Sequence, residues 1–115
     1  LQKNRYWNTG EGLALDAGPF VAALEYATRK DAYVVGKPSP DFFRLGAEAL
    51  GVAPGGILVI GDDVEADIGG AHAAGMRGAL VRTGKFTPGA LERSGVRPEL
   101  EAADFGALVK RILAL

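Results

Sequence analysis

Three aspartates lie close together directly after an apolar stretch of the chain. Asp62 and Asp63 follow the apolar residues 57–60, and Asp67 comes one helical turn later. Carboxylates gathered in one place repel each other, and a hard divalent cation with oxygen ligands commonly offsets that repulsion. Mg²⁺ takes one or two protein carboxylates together with water and phosphate oxygens. The cluster therefore predicts a Mg²⁺ site. The alternative is that Asp62 or Asp63 caps the next helix while the other acids face solvent.

A lysine in a loop is the second candidate for chemistry. Lys37 stands between Gly36 and Pro38, after a short β-branched stretch and just before a helix N-terminus. An ammonium group held there could neutralise phosphate charge, and the first amides of the helix would add to the attraction. Taken alone, a loop lysine is more often a solvated charge. The prediction therefore depends on whether the fold brings Lys37 to the aspartates.

The acidic cluster follows a strand that the sequence predicts to be buried. Residues 57–60 form an apolar run that does not alternate, which is typical of a central parallel strand covered on both faces. A second buried strand is predicted over 78–81, and a helix over about 65–75 connects the two. Short joints between alternating strands and helices indicate parallel strands. In such sheets the functional crevice lies at the C-terminal strand ends, where Asp62 and Asp63 stand.

Capping residues and apolar spacing predict the other helices. One helix has Ser39 as its N-cap and Pro40 at its first position, and it ends before Gly51 as C-cap. An earlier helix is predicted over about 19–29. A final helix begins after Asp104 as its N-cap and carries an apolar stripe. Residues 87–98 read as loop with some helix.

In this order and spacing, the lysine loop and the acidic cluster resemble two motifs of the haloacid dehalogenase superfamily. The matching segments are Val34-Val35-Gly36-Lys37-Pro38-Ser39-Pro40, the strand at 57–60, Gly61-Asp62-Asp63, Asp67, Gly69-Gly70-Ala71, Ala74-Gly75-Met76 and Leu80-Val81-Arg82-Thr83-Gly84-Lys85. Residues 18–27 are similar to the end of the cap in the subfamily that inserts an α/β cap before the lysine motif.

The resemblance implies an α/β fold, the C-terminal part of a Rossmann-like parallel sheet with flanking helices, plus a short remnant of the cap. Residues 1–31 would be the end of the cap region and a hinge helix. Residues 32–115 would be the C-terminal part of the core domain.

The resemblance also implies an activity, a Mg²⁺-dependent phosphatase that acts through a phospho-aspartate. Asp62 would be a direct Mg²⁺ ligand, and Asp63 a second carboxylate that reaches the metal directly or through water. Lys37 would hold the transferring phosphoryl group and offset charge on the nucleophile. Asp67 would orient Lys37 or a metal-bound water. The alternative function is a non-catalytic metal-binding or assembly domain that keeps the same fold.

One expected feature is missing from the sequence. The family's nucleophile lies in an Asp-x-Asp motif on a first strand, and the 115 residues contain no such motif. We therefore expect this chain to be inactive by itself and its parent protein to be a complete phosphatase. In the family the first strand lies beside the strand at 57–60, so an apolar sheet edge is left unpaired. We expect a homo-oligomer or a swapped assembly to cover that edge.

Composition limits the class of protein and the kind of partner. The chain has 48% hydrophobic residues and a net charge of −1, which suits one small domain without a basic surface for nucleic acid. Cysteine is absent, which excludes disulfides and thiolate metal sites and favours the cytoplasm. No stretch approaches the roughly 20 apolar residues that span a bilayer. The predicted partner is a small phosphorylated substrate.

Overall fold

The computed structural model describes residues 3–114, which fold as alternating helices and strands. In chain order the elements are β1 (Tyr6–Asn8), β2 (Leu13–Leu15), α1 (Ala17–Thr28), α2 (Pro40–Leu50), β3 (Leu58–Gly61), α3 (Gly70–Ala73), β4 (Arg77–Val81), α4 (Ala90–Ser94), β5 (Leu100–Ala102) and α5 (Phe105–Leu113). A 3₁₀ turn at Pro54–Gly56 precedes β3, and a π-helical segment at Val64–Gly69 runs into α3. The strands β1 and β2 form an antiparallel hairpin, whereas β3, β4 and β5 form a parallel sheet. The α/β fold with a parallel sheet predicted from the sequence is confirmed.

Helices cover both faces of the parallel sheet. On one face, Ala79 and Val81 of β4 pack against Leu108 of α5. On the other face, Leu80 of β4 packs against Ile68 of the π-helical segment. Alternate side chains of a strand point to opposite faces, so a strand without polar side chains fills both halves of the core. Residues 78–81 of β4 do this, and they make the strand the centre of the sheet.

Strand β3 is the edge of this sheet. Residues 57–60 are half-buried, while residues 78–81 of β4 are all buried. Both faces of β3 are covered by helices, as predicted. However, β3 pairs only with β4, and no strand pairs with its other side among the described residues. The prediction of a central strand is therefore wrong for this structure, and the predicted open edge is present.

Helix ends lie near the positions that capping residues predict. Gly51 adopts a left-handed conformation with φ of 64° at the end of α2, although Ser39 makes no capping hydrogen bond at its start. Asp104 accepts a backbone N–H from the first turn of α5 at 2.8 Å. Helix α1 begins two residues earlier than predicted, because Asp16 accepts the backbone N–H of Ala17 at 2.6 Å and acts as the N-cap.

Short strands are the elements that the sequence did not reveal. Strand β5 has only three residues, Leu-Glu-Ala, and lies in a part of the chain for which no strand was predicted. Its register with β4 places Ala79 opposite Leu100. Strand β2 is equally short and depends on its pairing with β1. In both cases the partner strand decides the conformation, because three residues hold too little periodicity to predict a strand.

Helix α1 is mostly exposed to solvent. Gly18 is its only buried residue, while Phe20 and Leu24 are 64% and 66% exposed. The backbone N–H of Gly18 donates to the carbonyl oxygen of Asn4 at 2.8 Å, which connects the start of the helix to the segment before β1. Among the residues described, no helix is long and apolar enough to cross a membrane.

Candidate active site

The adjacent aspartates lie where β3 ends, at the C-terminal edge of the parallel sheet. Asp62 Oδ2 accepts the backbone N–H of Lys85 at 3.0 Å, from the turn that follows β4. Asp63 Oδ1 accepts the backbone N–H of Ala66 at 2.9 Å and caps the π-helical segment. A carboxylate has about four lone-pair sites, so each group keeps capacity to bind a cation. Capping by Asp63 and metal binding therefore do not exclude each other.

Asp67 is the buried carboxylate of the cluster. It is 5% exposed, and both of its oxygens have partners. Its Oδ1 accepts from Lys37 Nζ at 2.5 Å, and its Oδ2 accepts the backbone N–H of Asp63 at 3.1 Å. A buried charge is tolerated only when it is paired and hydrogen-bonded, and Asp67 meets both conditions. Asp67 thereby joins the lysine loop to the end of β3.

A π-helical segment brings Asp67 to this position. The backbone N–H groups of Asp67 and Ile68 donate to the carbonyl oxygen of Asp63, at 2.9 Å and 3.4 Å. The bond from Ile68 spans five residues and widens the turn. The sequence predicted an ordinary helix here, and the structure differs because one carbonyl accepts two donors. Short π-helical segments are rare and occur frequently at functional sites.

Two glycines leave room for the carboxylates. A Cβ atom at Gly61 would lie 2.3 Å from Oδ2 of Asp67, and one at Gly84 would lie 1.8 Å from Oδ2 of Asp62. Gly84 also has φ of +46°, a backbone conformation that glycine adopts readily. Both glycines belong to the motifs that resemble the family, but their roles beside the carboxylates were not predicted. The available signal was their position directly beside the predicted strand ends.

Lys37 reaches the cluster from the loop before α2. Its side chain is 35% exposed, and its Nζ lies 6.0 Å from the ring centroid of Phe42. Helix α2 sits close to α3 because Gly70 has no side chain. A Cβ atom there would come within 2.5 Å of the Phe43 ring. This close packing places Lys37 next to Asp67, a residue 30 positions later in the sequence.

Hydrogen bonds connect three of the predicted site residues, Lys37, Asp67 and Asp63. The fourth, Asp62, adjoins Asp63 in the chain, and its carboxylate contacts the Lys85 backbone instead. Within residues 3–114 there is no group of three or more His, Cys, Asp or Glu side chains arranged to hold a metal ion. Mg²⁺ does not require such a group, because it keeps several waters and binds through one or two carboxylates. The paired carboxylates at the end of β3 fit that donor set, and the nearby ammonium suits an anionic ligand.

Comparisons with known proteins agree with this arrangement. The model of the HAD-hydrolase-like family matches residues 34–108. The phospholysine phosphohistidine inorganic pyrophosphate phosphatase of Rattus norvegicus is 50% identical over 99 residues, which cover 86% of this chain and 37% of that protein. The p-nitrophenyl phosphatase from Archaeoglobus fulgidus superposes with a TM-score of 0.82 at 27% identity, over 96% of this chain and 44% of that one.

A third similar protein is a glycerol phosphate phosphatase from Mycobacterium tuberculosis in complex with magnesium. It superposes with a TM-score of 0.75 at 32% identity, over 93% of this chain and 32% of that one. The chain thus spans less than half of the length of each of these three proteins. The family match covers more than half of the chain and includes every predicted site residue. The chain belongs to the haloacid dehalogenase-like hydrolase family.

Proposed function

We propose that this chain is part of a Mg²⁺-dependent phosphatase that acts on small phosphorylated molecules through a phospho-aspartate. The observation that carries the proposal is the run of contacts from Lys37 through Asp67 to Asp63, with Asp62 beside it, at the end of β3. The similarity to three proteins named as phosphatases supports it, and one of them was crystallised with magnesium.

Asp62 and Asp63 are the residues that would hold the metal. Bound there, Mg²⁺ would supply positive charge next to the phosphate oxygens. Each carboxylate is already oriented by a backbone N–H, from Lys85 and Ala66 respectively. Little side-chain freedom remains to be lost when a cation binds, which favours affinity.

Lys37 would bind the oxygens of the phosphoryl group that is transferred. Its ammonium is oriented by the buried carboxylate of Asp67 at 2.5 Å. An oriented charge in a partly buried site stabilises developing negative charge more strongly than a mobile charge in water. Asp67 would therefore act as a positioning residue that keeps Lys37 aimed at the phosphate.

We propose that the nucleophilic carboxylate comes from polypeptide outside these 115 residues, since the sequence has no Asp-x-Asp motif. The open edge of β3 borders a pocket of about 280 Å³ lined by Lys37 and Asp67 together with apolar side chains that include Phe42, Leu50 and Met76. An apolar strand docked in parallel along this edge would end beside Lys37. A homo-oligomer, a swapped assembly or further polypeptide of the same protein could supply that strand.

The direct test of the metal site is titration of the ¹⁵N-labelled chain with Mg²⁺, followed by NMR. The amides of Gly61, Asp62 and Asp63 should shift in a saturable way. The substitution Asp62→Asn should remove the shifts, while Asp104→Asn, which removes the same charge at a distant helix cap, should leave them. Shifts that survive in Asp62→Asn would refute the assignment of the metal to this carboxylate.

Turnover provides the second test. The chain alone should not hydrolyse p-nitrophenyl phosphate in Mg²⁺, whereas an assembly with a docked Asp-x-Asp strand should. Hydrolysis by the chain alone that is lost in Asp62→Asn would contradict the proposal that the nucleophile lies elsewhere. Mg²⁺ binding without turnover in the complete assembly would instead favour a non-catalytic metal-binding domain.

A further inference from the structure

We infer that the loop after β4 forms a second anion-binding subsite, built from Lys85 and Arg93, next to the acidic cluster. It would hold a second negatively charged group of the substrate, such as the other phosphoryl group of a diphosphate or a carboxylate near the phosphate ester. The inference rests on the proposed function, because the first phosphoryl group must sit at Lys37.

The subsite is a pocket of about 400 Å³ that borders the acidic cluster through Asp63. Its lining residues are Asp63, Val64, Glu65, Lys85, Thr87, Ala90 and Arg93. The acidic cluster is thus flanked by two separate lysines, with Lys37 bonded to Asp67 and Lys85 close to Asp63. A substrate whose first phosphoryl group is bound at Lys37 would meet Lys85 with its next anionic group.

The backbone of Lys85 is held beside the cluster while its side chain can exchange partners. Its backbone N–H donates to Asp62 Oδ2 at 3.0 Å, which positions the residue. Its Nζ lies 3.8 Å from Asp63 Oδ2, and the side chain is 62% exposed. Exposed ion pairs of this kind contribute little to stability. The ammonium group can therefore leave Asp63 for a substrate anion at small cost.

Arg93 forms the opposite wall with its guanidinium group already oriented. Its Nη2 donates to Thr87 Oγ1 at 3.0 Å, and its Nη1 donates to the carbonyl oxygen of Pro88 at 3.2 Å. A guanidinium has five N–H donors in a planar fork, so further donors remain for a carboxylate or phosphoryl group. Both observed partners are neutral acceptors, so the positive charge of Arg93 is not cancelled by them.

The charges that line the pocket make anion binding depend on the metal. The carboxylates of Asp63 and Glu65 formally cancel the cations of Lys85 and Arg93. A divalent cation bound at Asp63 would leave the pocket positive, and only then would an anion be attracted over its whole surface. The subsite should therefore bind an anion in Mg²⁺ and not in its absence.

The experiment compares three probes by NMR titration of the ¹⁵N-labelled chain at one fixed free Mg²⁺ concentration. The probes are orthophosphate, imidodiphosphate with a second phosphoryl group, and phosphonoacetate with a carboxylate as its second anion. We expect imidodiphosphate or phosphonoacetate, or both, to bind about tenfold tighter than orthophosphate, since one additional charge-assisted hydrogen bond has about that effect. The two probes distinguish a phosphoryl group from a carboxylate as the preferred second anion.

The variant Lys85→Gln keeps the backbone N–H that holds Asp62 and removes only the ammonium. It should lower the affinity for the doubly charged probe about tenfold and change orthophosphate affinity less than twofold. Arg93→Gln should act in the same direction. The control Lys110→Gln removes an equal charge from an exposed position of helix α5 and should change neither affinity.

Two failures can be told apart. The subsite would be refuted, and the phosphoryl site would stand, if the doubly charged probes bound no tighter than orthophosphate. The same would follow if their affinity were unchanged in both Lys85→Gln and Arg93→Gln. Orthophosphate that does not bind in Mg²⁺, or that binds equally well to Lys37→Gln, would overturn the proposed function and the subsite with it.

Discussion

Replacing Gly61 with alanine would place a methyl group where the carboxylate of Asp67 now lies. The new Cβ atom would be 2.3 Å from Oδ2 of Asp67 and 2.4 Å from its Cβ and Cγ atoms. Ordinary contact begins near 3.4 Å, so Asp67 would have to retreat by about 1 Å. Its 2.5 Å bond to Lys37 and its 3.1 Å bond from the Asp63 backbone cannot both survive that movement.

The free-energy cost follows from these contacts. Losing a hydrogen bond to a charged group costs about 1.5–3 kcal/mol, and solvent screening at the one-third exposed Lys37 reduces this to about 1–2 kcal/mol. Overpacking adds about 1–3 kcal/mol. The alanine recovers about 0.5–1 kcal/mol by restricting the unfolded chain. We therefore expect Gly61→Ala to lower the free energy of unfolding by about 3 kcal/mol, or the melting temperature by roughly 12 °C.

Urea denaturation followed by circular dichroism measures this loss. The matched control is Gly46→Ala in the middle of α2, where an added Cβ atom meets nothing within 4 Å. That change should stabilise the protein by about 0.5–1 kcal/mol, because alanine favours helix over glycine. The two variants add the same methyl group, but only the methyl group at position 61 meets Asp67.

A double mutant tests the same steric contact. An Asp67→Gly background removes both the carboxylate and the Cβ atom that face Gly61, so Gly61→Ala should then cost less than about 1 kcal/mol. If Gly61→Ala is as stable as the wild type, or if its cost is unchanged when Asp67 is removed, the steric explanation is wrong.

Two more predictions concern the metal site and the N-terminal region. Gly84→Ala should raise the Mg²⁺ dissociation constant at least tenfold by calorimetry, because its Cβ atom would lie 1.8 Å from Oδ2 of Asp62. Gly95→Ala has a similar positive φ with no neighbour within 4 Å and should leave Mg²⁺ affinity unchanged, so equal affinities in both variants would contradict the steric argument. The hydrogen bond from the Lys3 ammonium holds the pKa of Glu25 below its ordinary value of 4.5. Because the folded pKa is the lower one, wild type should be more stable than Glu25→Gln at pH 7, and this advantage should shrink as the pH falls below 4.5 through the lowered pKa. An advantage in urea denaturation that stays constant down to pH 3 would refute it.

The sequence by itself determined which residues can do chemistry and where most helices end. Side-chain type decides whether a residue can bind a cation or a phosphate. Lys37 and Asp62 could therefore be identified as candidates from the sequence alone. Helix ends are also local, since a cap such as Gly51 or Asp104 acts on backbone groups within one turn. The order of lysine loop, strand and acidic cluster was sufficient to indicate the family.

Only the tertiary structure decided how these residues meet. The pairing of Lys37 with Asp67 joins positions 30 residues apart, and it depends on the packing of α2 against α3. The edge position of β3 and the existence of β5 depend on which strands pair, which no local pattern specifies. The need for glycine at position 61 depends on the side chain that faces it. Such contacts are set by close packing between distant segments, and close packing is a property of the folded chain rather than of any short stretch of sequence.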